Sequence, residues 1–166
     1  MANDGSDLAA AIATIQEIGD NKALDESVAD AFPGSEVQVA NDAGRFSLRM
    51  QQHGILRALD AAELSDGTLR YLLWIAALLT PRPPALMVLN EPETSLHPDL
   101  LPALGRLIAR AAESTQVVVV THAEKLIAQL AEIESCNSIQ LEKQFRETSV
   151  LGTTAVNRLS WQWPAR

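Results

Sequence analysis

The chain has 166 residues, of which 47% are hydrophobic and 20% charged, a composition that excludes disordered, collagen-like and disulfide-scaffold classes. Its net charge of −8, from 13 Lys and Arg against 21 Asp and Glu, argues against a broad nucleic-acid-binding surface and leaves room for a local basic patch. The longest apolar runs, Tyr71–Leu79 and Val117–Val120, fall well short of the roughly 20 residues of a membrane helix, so no membrane partner is expected.

The length predicts one domain of ordinary size. The opening Met-Ala-Asn-Asp-Gly-Ser-Asp has no basic start and no apolar core, so it does not read as a signal peptide. Cys136 is the only cysteine, which rules out an intrachain disulfide and predicts a reducing, cytoplasmic setting.

From Asp7 to Ile18, residues Leu8, Ala11, Ile12, Ile15 and Ile18 share one helical face. Gly19-Asp20-Asn21 reads as a stop, and a second helix is expected from Leu24 to Ala31, ended by Phe32-Pro33-Gly34. Residues 1–34 are thus an N-terminal helical segment packed on something else. Val37 and Val39, then Phe46, Leu48 and Met50, alternate with polar residues around Asn41-Asp42-Ala43-Gly44, which predicts a β-hairpin with one wet face.

Leu69, Leu72, Leu73, Ala76 and Leu79 then return to helical spacing. Ala85–Leu89 and Gln116–Val120 are continuous apolar runs, suited to strands buried on both faces. Between them Leu100, Leu101, Leu104, Leu107, Ile108 and Ala111 mark a helix, and Leu126, Ile127 and Leu130 mark another after the second run. This alternation predicts an α/β fold with parallel strands. Ile139, Leu141 and Ser149–Leu151 suggest short edge strands, and Trp161–Pro164 remains unassigned.

In open α/β sheets, ligands bind beyond the carboxyl ends of the strands. The first apolar strand is followed by Asn90-Glu91-Pro92-Glu93-Thr94-Ser95-Leu96-His97-Pro98, and the second by Thr121-His122. Upstream, Leu64-Ser65-Asp66-Gly67-Thr68 opens a helix with a Ser N-cap, and free N–H groups in such a first turn can hold an anion. By itself, that start reads first as a plain capped helix.

Together these residues resemble the ABC-type ATPases, in the branch of SMC- and RecF-like predicted ATPases. Leu64–Thr68 resembles the signature motif, Ala85–Glu91 the Walker B strand, Ser95–Pro98 the D-loop, and Thr121-His122 the switch histidine. The match covers about residues 61–130. It implies a partial P-loop NTPase fold, three-layered, with parallel core strands and a β-hairpin before the signature helix. In that family two nucleotide-binding domains sandwich ATP.

The resemblance implies that Ser65, Asp66, Gly67 and Thr68 bind the γ-phosphate held by the opposite subunit, with Ser95 and His97 at the interface. Glu91 would polarise the attacking water, and His122 would contact the γ-phosphate. The rival for Glu91 is a strand-end carboxylate that caps the next helix. Glu93 reads as a structural partner, His97 as an interface residue, and His53 as an ordinary surface or hinge histidine. No His, Cys and Asp grouping has zinc-ligand spacing.

Two departures from the family stand out. Asn90 occupies the place of an aspartate that contacts Mg²⁺ directly or through water; asparagine keeps an oxygen acceptor and loses the charge. No Gly-x-x-x-x-Gly-Lys-Ser/Thr occurs, and none of the eight glycines is followed by Lys. Residues 35–166 therefore read as the carboxyl half of an ABC-type ATPase domain, for which ATP and Mg²⁺ require a P-loop-bearing segment or subunit elsewhere. The competing reading is a degenerate, non-hydrolysing interaction module. A nucleic-acid partner is suggested by the branch alone, and by no residue of this sequence.

Overall fold

The computed structural model describes residues 7–144 and 147–150, which fall into two compact units divided between Ile133 and Glu134. The first unit begins with two helices, α1 (Leu8–Ile18) and α2 (Asn21–Ala31). Gly19 ends α1 and the Asp20 carboxylate caps α2 by accepting from the Ala23 N–H at 2.9 Å, so the expected stop is also the next start. Helix α2 is thus three residues longer at its start than the apolar spacing indicates. Leu8, Ile12, Ala13 and Ile15 are buried, whereas Ile18 is 66% exposed and does not belong to the core face.

Strands β1 (Glu36–Asp42) and β2 (Arg45–Gln51) form the expected antiparallel hairpin. Its two-residue turn puts Ala43 at φ 49° and Gly44 at φ 86°, the left-handed pair that matches the twist of the strands. The Asn41 side chain accepts from the Gly44 N–H at 3.0 Å and pins that turn. Val37, Leu48 and Met50 are buried and Phe46 sits at the exposed end of the ladder. A short β3 (Leu59–Asp60) pairs with β2 to complete this sheet.

Helix α3 (Asp66–Leu78) buries Thr68, Tyr71, Leu72, Ile75, Ala76 and Leu78, so its inward face is centred on Tyr71 and Ile75, and Leu69, Leu73 and Leu79 lie at its border. Phe32 meets Tyr71 edge-on, with ring centroids 5.5 Å apart. Strands β4 (Leu86–Asn90) and β5 (Gln116–Val120) are parallel and joined through α4 (Leu101–Ala112). Helix α4 buries Leu101, Leu104, Leu107, Ile108 and Ala111 as its spacing predicts. Helix α5 (Glu124–Ala131) buries Leu126, while Ile127 is 42% exposed.

The parallel pair departs from expectation in one respect. Met87, Leu89, Val117 and Val119 pack on the core, but Leu86, Val88, Val118 and Val120 are 42–62% exposed. The strands are aliphatic on both faces, and only one face is covered. Side-chain chemistry signals that a strand suits burial on two sides; it does not say which chain supplies the second cover. Sheet and one helix layer together make a partial α/β fold.

In the second unit, β6 (Leu141–Gln144) pairs antiparallel with β7 (Glu147–Val150). Leu151 and the Trp161–Pro164 tail lie outside the described residues. Among the described residues no helix is long and apolar enough to cross a membrane.

Candidate functional site

Asn90 pairs with Val120, so β4 and β5 end side by side and release their following loops at the same end of the sheet. Asn90 is exposed there. The Glu91 N–H donates to the Val120 carbonyl at 2.7 Å, extending the ladder by one bond. Glu91 then adopts φ 47° and Ser95 φ 66°, both in the left-handed region that side chains disfavour. Such conformations cost on the order of 1–3 kcal/mol each and persist where their surroundings over-determine them.

Those surroundings are visible. The Thr94 N–H donates to the Glu91 carbonyl and the Leu96 N–H to the Glu93 carbonyl, each at 3.0 Å. Pro92 is buried, and its carbonyl accepts from the Trp74 indole N–H of α3 at 3.0 Å. Glu93 reaches across to the end of β5. Its Oε1 accepts from the Thr121 hydroxyl at 2.7 Å and from the His122 backbone N–H at 3.2 Å. Thr121 Oγ1 in turn accepts from the Ala123 N–H at 3.1 Å, next to the start of α5.

The His122 imidazole stands between two carboxylates, with Nδ1 3.6 Å from Glu93 Oε1 and 4.0 Å from Glu91 Oε1. Their exposures differ: the Glu93 side chain is 9% exposed, against 52% for Glu91 and 79% for His122. Burial alone would push the Glu93 carboxyl up. The hydrogen bonds from Thr121, its own backbone and His122, with the nearby imidazole, outweigh that and hold it below the ordinary carboxylate range.

The second group of candidate residues opens α3. Ser65 Oγ accepts from the Thr68 N–H at 3.1 Å and shares a hydrogen bond with the Thr68 hydroxyl at 2.9 Å. Ser65 and Asp66 are exposed, and Thr68 is buried. A Cβ on Gly67 would stand 3.3 Å from the Ser95 carbonyl oxygen, so the first turn of α3 abuts the left-handed turn at Ser95. Gly67 thus has a packing reason to lack a side chain, as well as leaving its backbone open.

His97 is exposed, and its Nδ1 accepts from the Asp99 N–H at 3.3 Å, capping the one-turn helix Pro98–Leu100. The structure therefore gathers Glu91, Glu93, Thr121 and His122 at the strand ends, and Ser65–Thr68 against Ser95; the 91–95 loop joins the two groups. His97 stands apart from both, and His53 is exposed beside Gly34.

Two contacts link these groups, and their partners are not stated by the string of residues. Glu93, which reads as a structural partner from the sequence, is the hub between the strand ends, and Trp74 ties α3 to the 91–95 loop. A Trp at the border of an apolar helix face needs an acceptor for its N–H, which is the available hint for the second. Among the described residues no group of three or more His, Cys, Asp or Glu side chains could hold a metal ion.

Residues 3–128 match the family described as "AAA domain, putative AbiEii toxin, Type IV TA system". The chain belongs to this AAA-domain family. No curated protein matches it.

Its fold is similar to SMC ATPase heads. One solved SMC ATPase, studied for ATP-driven dimerization and DNA-stimulated activation, shares 14% identity and a TM-score of 0.64 over 89% of each chain. The Smc head bound to the C-winged helix domain of ScpA shares 14% identity and a TM-score of 0.65 over 84% of this chain and 43% of its own. The SMC head domain from Thermotoga maritima shares 17% identity and a TM-score of 0.58 over 89% of this chain and 51% of its own. The AAA-domain chain thus spans about half or less of the length of the latter two. At these identities the likeness establishes an ATPase fold of the SMC-head type, present here in part.

Proposed function

We propose that the chain is a component of an ATP-binding and ATP-hydrolysing ABC-type ATPase, supplying signature motif, catalytic glutamate and switch histidine to a site completed by a P-loop borne elsewhere. The observation that carries this reading is the meeting of Glu91 and His122, 4.0 Å apart, at the ends of paired parallel strands. A carboxylate with half its surface in solvent can orient a water, and an adjacent imidazole can sense an anion. The start of α3 offers N–H groups and the Ser65 hydroxyl to a phosphate from a facing subunit, with Ser95 and His97 at that interface. ATP, when bound with its Mg²⁺, supplies the reactive phosphoanhydride. Asn90 would meet the Mg²⁺ through its amide oxygen or a water, since magnesium keeps waters and takes phosphate ligands. The exposed aliphatic face of β4–β5 supports a complementing segment that covers it.

Asn90 also favours a second reading, a non-hydrolysing module that retains the fold and regulates a partner, because the negative charge that helps to place magnesium is absent. One experiment separates the two. In complex with its P-loop-bearing segment, the chain should turn over ATP, and Glu91→Gln should slow it by about a hundredfold or more, as loss of general-base assistance does. Turnover that is indifferent to Glu91 removes the first reading. The chain alone should show no binding of Mg·ATP at micromolar concentration, and such binding would remove the requirement for a separate P-loop.

A further inference from the structure

Glu93 is an expensive way to hold a turn. Its Oε1 meets the Thr121 hydroxyl, the His122 N–H and, at 3.6 Å, the His122 Nδ1, while Oε2 is buried with no hydrogen-bond partner among the described residues. A half-satisfied buried carboxylate costs free energy, and a neutral acceptor such as glutamine would still accept, more weakly, from the hydroxyl and the N–H. What a neutral side chain cannot supply is negative charge beside an imidazole nitrogen. Charge on one side of a histidine ring sets which nitrogen carries the proton.

We propose that Glu93 is a positioning residue for His122. It clamps the Thr121–His122 turn to the end of β4 and fixes the neutral imidazole as the Nδ1–H tautomer, proton toward the Glu93 and Glu91 carboxylates. Nε2 is then the unprotonated nitrogen, and it makes no hydrogen bond among the described residues. Glu91 contributes less to this choice because it is farther from Nδ1 and is half solvated. Lys125, the nearest cation in sequence, is engaged by Asp99 at 3.2 Å.

The test is the ¹⁵N spectrum of the His122 ring in the full chain without nucleotide, at a pH where the imidazole is neutral. Wild type should show the Nδ1–H form as the majority. Glu93→Gln, which keeps the oxygen acceptor, should shift the majority to Nε2–H with the rest of the amide spectrum unchanged. Glu93→Ala should in addition speed exchange of the His122 amide by about tenfold, as loss of a hydrogen bond to a charged acceptor does. Thr121→Val removes one donor but keeps the charge, and should leave the tautomer as in wild type.

An Nε2–H majority in wild type overturns the proposal, and so does a ratio that Glu93→Gln leaves unchanged. A change in Thr121→Val as large as that in Glu93→Gln overturns it too, by assigning the effect to the turn and not to the carboxylate. Because no nucleotide is present, these outcomes judge Glu93 alone. Failure of ATP turnover in the complex would count against the ATPase reading and leave the tautomer result standing.

Discussion

The β1–β2 hairpin and the β4–β5 pair are both short two-strand ladders, yet one is finished and the other is not. The hairpin alternates: Val37, Leu48 and Met50 go inward, and polar residues meet water. Its twist is matched by a left-handed turn at Ala43-Gly44. The parallel pair does not alternate in chemistry, and Leu86, Val88, Val118 and Val120 face solvent with nothing polar between them. The lesson is that an alternating strand carries its own instructions for one covered face, whereas a continuous aliphatic strand asks for two covers.

The comparison is broken most severely by removing an inward side chain from either ladder. Met50→Ala, at 0% exposure, and Leu89→Ala, at 5%, should each destabilise the chain by about 2–5 kcal/mol in urea unfolding. If Leu89→Ala costs as little as a surface change, the parallel pair does not share the core. Gly44→Val tests the hairpin turn alone; placing a β-branched residue at φ 86° should cost about 1–2 kcal/mol by the same measurement.

Trp74→Phe keeps an aromatic ring, trims its bulk and deletes the N–H bond to Pro92, so it should cost at least about 1 kcal/mol. The same variant should increase amide exchange in the 91–95 loop, and an unchanged loop would show that the contact does not secure it. Val88→Thr is the converse of Leu89→Ala. At 62% exposure it should change stability by less than about 0.5 kcal/mol in the isolated chain. In complex with a covering segment, the same substitution should weaken assembly, which sharpens the distinction between the finished and the unfinished ladder.

The smallest effect concerns the loop between the two ladders. Arg57, paired with Glu63 at 2.6 Å, holds that carboxyl down to about 2, aided by the Asp60 N–H. A depressed carboxylate lends stability above its unfolded pKa and loses it as pH falls through the folded value. The contact should therefore persist below pH 4.5 and vanish only near pH 2, as carboxyl-carbon chemical shifts would show. Both groups are exposed, so little global stability rides on it.

Much of this was legible residue by residue. Element order, the hairpin turn and the helix that opens at Ser65 follow from local rules of spacing and capping, which act over a few positions. The motif strings were legible for the same reason, since each is short and contiguous. Other features were not. The spacing of Leu69, Leu72, Leu73, Ala76 and Leu79 pointed to a helix face of which Leu72 and Ala76 are buried, while the structure centres that face on Tyr71 and Ile75 and leaves Leu69, Leu73 and Leu79 at its border. Arg106 and Arg110 on α4 pair with Asp30 and Glu26 on α2, at separations of 76 and 84 residues that no local pattern reports.

By itself, the sequence determined the alternation of helices and strands, the places where loops must turn, and the presence of Glu91, His122 and Ser65 at element ends, because each of these rests on interactions within about one turn or one strand. Tertiary structure alone decided that Glu93 joins the two strand ends and that Trp74 braces the loop. It also decided that one aliphatic face of the sheet stays open. Those outcomes depend on which distant surfaces meet, and free energy of that kind is set by the packed whole and not by any single stretch of chain.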